Sequence, residues 1–292
     1  MKSCLTIAAF WLLGAAVAVA QGVSVEVLLD QKYFLPKEPL IVKVRVTNYS
    51  GQTIRLGQED DWLNFTIEGR KDHVISKLAP VPVAGEYALE SSRTGTKAVD
   101  LAPYFDLARP GHYRITANVR IPQWQREVKS SPCGFDIITG STLWEQEFGV
   151  PQAEPSSTGR PEIRKYALVQ TLHQEQLMLY FRLSDPANNK VDRIFMIGPM
   201  VSFSRPEPQL DRFSNLHILY QTSARRFIYS MVNPDGILIA RETHESSDTK
   251  PRMRAEEDGR IKVIGGVRRV MSTDVPPQLS STSPTDAGVP QP

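Results

Sequence analysis

The sequence predicts an all-β protein of two modules, a β-sandwich followed by an antiparallel module of repeated hairpins too few to close a ring. Three observations predict it. Apolar and polar residues alternate with a period of two through the first half of the chain, as in strands with one face on a core and one in water. Turn-forming stretches such as "NYSGQ", "LPKEP" and "ARPGH" fall between the alternating runs. Further on, a polar turn followed by a strand recurs, with the turn markers Asn215, Gly236 and Gly259 spaced by 21 to 23 residues. A content of 41% hydrophobic and 23% charged residues is that of a globular protein.

The chain opens on "MKSCLTIAAFWLLGAAVAVAQG", in which Lys2 precedes an apolar run that ends in Ala18 and Ala20 in an A-x-A pattern. That is the layout of a secretory signal peptide, residues 1–20, with cleavage expected after Ala20. The apolar stretch is short for a membrane span, and no later stretch is long enough for one. The expected mature chain is exported, to the periplasm or beyond, and has no transmembrane segment. Cleavage removes Cys4 and leaves Cys133 without a disulfide partner, a pattern at home in a bacterial envelope. No His or Lys flanks Cys133 in "SPCGFDI" to activate the thiol, so an inert cysteine is expected.

Residues 22–140 form the first module. "VSVEVLL" places Val23, Val25, Val27 and Leu29 on one face, and "LIVKVRVTN" sets Leu40, Val42, Val44 and Val46 against Lys43 and Arg45. "WLNFTIE" points Leu63, Phe65 and Ile67 one way. "HYRITANVR" does the same with Tyr113, Ile115, Ala117 and Val119. Several short alternating strands in about 120 residues make a sandwich.

"YFLPKEPLIVKVRVTNYSGQTI" followed by "FDLARPGHYRITANV" resembles extracellular immunoglobulin-like and macroglobulin-like sandwich modules, over about residues 23–139. The resemblance implies an immunoglobulin-like β-sandwich and no particular activity, because such sandwiches host many roles. The Cys…Trp…Cys arrangement of antibody domains is absent.

Residues 141–162 read as a connecting segment and linker. In "STLWEQEFGVP" a short helix or turn is expected to lay Trp144 and Phe148 on a domain surface, and "GVPQAEPSSTGRPE" (149–162) is proline-rich and aperiodic. Residues 271–292 read as a disordered tail, with too few apolar residues to offset the entropy of ordering.

Residues 163–270 form the second module, in which "RLSDPANNK" (182–190) is a turn. The segments "DRFSNLHILYQ", "VNPDGILIARETH" and "AEEDGRIKVIGGVRR" each run from a turn into a strand, with "RRFIYSMV" and "KPRMRA" as strands between them. This part resembles the β-propeller repeats of exported bacterial proteins. A closed propeller needs about four or more blades, and the length here gives two to three. The layout as a whole resembles uncharacterised exported bacterial proteins that join the two kinds of module. His217 falls inside the first of the three strands, beside Leu219 and opposite in facing to Leu216, Ile218 and Tyr220. It is expected to be a structural strand residue, paired with hairpin neighbours in "RRFIYSMV" and "ILIARET" and supplied with a hydrogen-bond partner.

Chemistry-bearing motifs are sparse. His73, His112, His173, His217 and His244 are scattered, with no H-E-x-x-H or His-x-His spacing, and no G-x-S-x-G or phosphate-cradling glycine loop occurs. No catalytic residue, metal ligand or cofactor is therefore assigned. Asp60–Asp61 lack the further spaced oxygens of a calcium loop and read as a solvated turn. Loop 79–87, "APVPVAGEY", has the look of a segment that a protease inhibitor would present.

The arginine pairs Arg225–Arg226 and Arg268–Arg269 are the binding candidates, since guanidinium forks grip carboxylates or sulfates bidentately. The charge is otherwise near balance, with 34 basic and 32 acidic residues, and export argues against nucleic acid as the natural partner. The reading that results is an exported, non-catalytic binding or assembly module that contacts an envelope protein or glycan. The alternative is a hydrolase or lyase whose carboxylates the fold gathers from distant positions. Oligomeric state is left open.

Overall fold

The structure, a computed structural model, describes residues 22–150, 162–188 and 190–276. The expected signal peptide, most of the linker and the tail beyond Pro276 lie outside the described residues. Among the described residues the fold is all-β, and the sheets close into neither a barrel nor a propeller.

The strands are, in order, β1 Val23–Leu29, β2 Tyr33–Phe34, β3 Ile41–Asn48, β4 Ile54–Leu56, β5 Leu63–Glu68, β6 Tyr87–Leu89, β7 Thr94–Asp100, β8 Gly111–Ile121, β9 Arg126–Lys129 and β10 Cys133–Ile137. They continue with β11 Ser141–Gly149, β12 Ile163–His173, β13 Gln176–Asp185, β14 Lys190–Met200, β15 Glu207–Leu210 and β16 Leu216–Gln221. The last are β17 Arg226–Val232, β18 Leu238–Glu245, β19 Arg252–Ala255, β20 Ile261–Ile264 and β21 Val267–Arg269. They divide into two compact units. The first holds residues 22–30, 41–105 and 113–135, and the second holds residues 31–40, 106–112 and 136 onward.

In the first unit β1, β3 and β7 make one antiparallel sheet, and β8 pairs with β5 and β9 in another. The predicted inward faces are the buried ones: Val23, Val25 and Val27; Val42, Val44 and Val46; Leu63, Phe65 and Ile67; Tyr113, Ile115, Ala117 and Val119. One polar residue inside this unit is the key to its turn. Asn48, fully buried at the end of β3, donates through Nδ2 to Gln52 O (2.7 Å) and Leu89 O (2.8 Å). Its Oδ1 accepts from Ser50 N and Ser50 Oγ. The "TNYSG" signature is thus a side chain that stands in for missing backbone partners.

The second unit is itself a sandwich. The meander β11-β12-β13-β14 is one sheet and β15-β16-β17-β18-β21 the other. Phe148, Tyr166, Leu168, Leu179, Phe181 and Ile197 from the first meet Leu216, Ile218, Tyr220, Ile228 and Val232 from the second in one buried core. Residues 141–149, expected as a short helix or turn, are instead β11. Phe148 is drawn into the core, where its ring stacks on Tyr166 at 4.0 Å, and Trp144 packs against the same cluster. Two aromatics four apart fit a helix face, but four is also an even spacing, so the regular β11–β12 pairing from Trp144 to Phe148 sets both on one face of a strand.

The outer faces are covered too. Leu35 lies on Ala167, Val169, Tyr180 and Ile194 of the meander. The β19–β20 hairpin lays Met253 and Ile261 on Leu219, Phe227 and Tyr229. The predicted repeats therefore build one open sheet and a covering hairpin. β16 pairs with β17, and β17 with β18, all antiparallel as expected from the sequence. Gly236 supplies the turn between β17 and β18 at φ +73, and a Cβ there would lie 2.8 Å from Arg193 Cδ. Asn48→Ala leaves the buried Leu89 carbonyl and the part-buried Gln52 carbonyl short of a donor, and we expect a loss of roughly 1–3 kcal/mol in urea denaturation with the cooperativity of unfolding retained.

Candidate functional site

β16 is buried along its whole length, so its polar members need partners. His217, 2% exposed, finds two. Its Nδ1 lies 2.7 Å from Tyr229 Oη and its Nε2 lies 3.2 Å from Asp211 Oδ2. A neutral ring that serves both carries its proton on Nε2, donates to the carboxylate and accepts from the phenol.

The local sequence explains how Asp211 arrives there. Its Oδ1 accepts from Phe213 N (2.8 Å) and Asn215 N (2.9 Å), and its Oδ2 also accepts from Asn215 Nδ2 (2.8 Å). It closes the turn that precedes β16. Burial pushes its carboxyl up, but the bonds from His217, Asn215 and Phe213 outweigh it and hold the group below the usual carboxylate range. Burial pushes the Tyr229 phenol up. A nucleophile-base pair needs an accessible oxygen beside its base. Here the hydroxyl at the end of the chain belongs to a phenol 8% exposed under the β19–β20 hairpin. Asp211, His217 and Tyr229 form a closed structural set.

A second buried group sits in the "LPKEP" turn. Glu38, 6% exposed, accepts from Leu35 N (2.7 Å) and from Gln31 Nε2 (2.6 Å). Desolvation dominates, and its pKa rises from 4.5 to about 7. Nearby, Tyr180 Oη lies 3.3 Å from His173 Nε2, and His173 packs on the Tyr33 ring. Burial lowers the His173 pKa.

The four arginines singled out in the sequence come to one end of the five-stranded sheet. Arg225 donates through Nε and Nη2 to Ser246 O (3.3 and 3.0 Å). Arg226 opens β17 opposite Glu245. Arg269 Nε holds Glu245 Oε2 at 2.9 Å. Arg268 holds Asp274 Oδ2 at 2.6 Å and faces Glu242 Oε2 at 3.4 Å. His244 adds a contact to Glu242 at 3.2 Å and lowers the pKa of that carboxyl, with Arg268 contributing. All four are exposed, with Arg268 and Arg269 anchored by carboxylates and Arg225 by the Ser246 carbonyl.

Other sequence candidates are occupied. Asp61 is bound with Glu59 to Arg120 Nη1, at 2.9 and 3.2 Å. In loop 79–87 Val81 and Val83 are buried, and Val83 O accepts from Trp62 Nε1. That pins the middle of the segment to its own unit, where an inhibitory loop would project. Cys133 is half-buried. Among the described residues no three His, Cys, Asp or Glu side chains gather as a metal site.

Sequence reading missed the gathering of Glu162, Asp185, Asp192 and Asp235 around one shallow depression of the second unit. Arg164 takes Glu162 (2.7 Å) and Asp235 (3.3 Å), and Lys190 takes Asp192 (3.3 Å). The fourth, Asp185, is bound by Asn188 and by backbone N–H groups, which lower its pKa. A glycosidase acid needs the opposite shift.

No protein-family model matches the chain, and no curated protein matches it. Among solved structures it is similar to the sporulation control protein Spo0M from Bacillus subtilis, at 9% identity, over 60% of this chain and 89% of that one, with a TM-score of 0.31. A likeness that weak carries no argument about fold or function.

Two outcomes follow. His217→Gln is expected to cost roughly 1–2 kcal/mol in chemical denaturation, because it leaves buried partners short of a bond. Glu38 titrates with the opposite sign to Asp211. Its raised pKa makes its contribution complete below about pH 4.5 and lost as the pH rises through about 7. On the order of 3 kcal/mol is at stake. Stability measured from pH 4.5 to 8 should therefore decline less in Glu38→Gln than in the parent.

Proposed function

We propose that the chain is an exported, non-catalytic binding module that contacts an acidic face of an envelope protein or glycan. The observation that carries this reading is the gathering of Arg225, Arg226, Arg268 and Arg269 at one end of the sheet, where all four are exposed and three are held in place, Arg225 by the Ser246 carbonyl and Arg268 and Arg269 by carboxylates. Fixed guanidinium groups recognise carboxylates and sulfates at a low cost in side-chain entropy. Three further features support it. The leader has the layout of a signal peptide. Residues 23–139 resemble extracellular sandwich modules. The buried Asp211, His217 and Tyr229 spend their hydrogen-bonding capacity on one another.

Co-sedimentation of the purified chain with isolated cell envelopes tests the proposal. The parent should pellet with the envelopes, and Arg225→Ala with Arg226→Ala should release it at moderate salt while the melting temperature stays unchanged. Turnover of an envelope polysaccharide, read as new reducing ends, would contradict the non-catalytic reading.

A further inference from the structure

The β19–β20 hairpin has two unlike faces. Its inner face carries Met253 and Ile261 into the cluster with Leu219, Phe227 and Tyr229. Its outer face carries Arg252, Arg254 and Lys262, with Arg254 directly opposite Lys262 in the pairing. Like charges directly opposite one another destabilise a two-stranded pair. Lys262 is drawn to Glu256 at 2.9 Å. Arg252 and Arg254 are exposed and, among the described residues, have no side-chain hydrogen bond or ion pair. The acids of this segment, Glu256, Glu257 and Asp258, are confined to the hairpin tip.

At the other end of the hairpin lies a cleft of about 550 Å³, lined by Lys250, Arg252, Thr249, Ile264 and Glu207. Lys250 Nζ is stationed over the Phe227 ring at 5.2 Å. Glu207, on edge strand β15, adds one acceptor to this cationic surface.

From this juxtaposition we infer that the outer face of the β19–β20 hairpin and its cleft bind an anionic, hydroxyl-rich polysaccharide, with Arg252 and Arg254 on its acid groups and Glu207 accepting from its hydroxyls. A bound polyanion relieves the repulsion between Arg254 and Lys262. The carboxylate of Glu207 discriminates. It repels the unbroken line of phosphates in a nucleic acid, but it suits a chain in which hydroxyls alternate with carboxylates. The inference rests on the reading of the chain as an exported binding module, and it concerns a surface separate from the Arg225–Arg226 end.

The probes are fluorescent polygalacturonate and a fluorescent oligothymidylate, titrated by anisotropy at two salt concentrations, with a thermal melt of each variant. The parent should bind polygalacturonate more tightly than oligothymidylate and lose affinity as salt rises. Arg252→Ala with Arg254→Ala should weaken polygalacturonate by about tenfold, as two exposed charge contacts allow. Arg225→Ala with Arg226→Ala should not. Glu207→Gln should weaken polygalacturonate and strengthen oligothymidylate. Absence of polygalacturonate binding, indifference to the Arg252/Arg254 change, or preference for oligothymidylate would overturn the inference. Envelope co-sedimentation that persists in that case leaves the broader binding reading standing.

Discussion

The second unit is governed by the covering of both sheets on both faces. One core fills the space between them, Leu35 covers the meander, and the β19–β20 hairpin covers β16 and β17. A strand such as β16, with all six residues buried, has no water to satisfy a polar side chain. Each polar residue admitted to it must bring a partner. Asp211, His217 and Tyr229 are one solution. Tyr166 is another, stacked on Phe148 while its hydroxyl donates to Asn233 O (2.9 Å) and Ser214 O (3.1 Å) in two turns of the facing sheet. Through that hydroxyl the position of β12 is tied to the turns on either side of the β16–β17 pair.

The same constraint separates structure from recognition. Groups that would draw notice as chemistry, an Asp–His pair and a glutamate with a pKa near 7, are buried and engaged. Groups with spare hydrogen-bonding capacity are the arginines and lysines on the surface, at the Arg225–Arg226 end and on the outer face of the hairpin. If the chain is the binding module proposed above, its specificity lies in surface contacts that leave the core untouched, and surface substitutions should change binding without changing the melt.

Much of the fold was legible. Alternation at β1, β3, β5 and β8 named the buried residues of the first unit, because a strand with one wet face writes its orientation into every second residue. The hairpins β16–β17–β18 were legible through their turn residues. β11 was misread, since the spacing of four between Trp144 and Phe148 fits one face of a helix and one face of a strand alike. The partners of His217 were half legible. Asp211 and Asn215 announce a side-chain-capped turn, and that turn aims the carboxylate at β16. Tyr229 was not, because its place beside His217 depends on the register of β17. Arg252 and Arg254 passed as plain strand residues. Their exposure, and their lack of partners among the described residues, emerge only once Met253 has fixed which face of the hairpin is turned inward.

The central claim is that His217 works for the fold through Tyr229 and Asp211. A double-mutant cycle tests it most directly. Tyr229→Phe, His217→Gln and the double variant are compared by urea denaturation, alongside envelope binding. The structure predicts a coupling of about 1 kcal/mol or more between the two sites, with binding unchanged in all three. Strictly additive losses of stability, or a His217 variant that keeps its stability and loses binding, would contradict it.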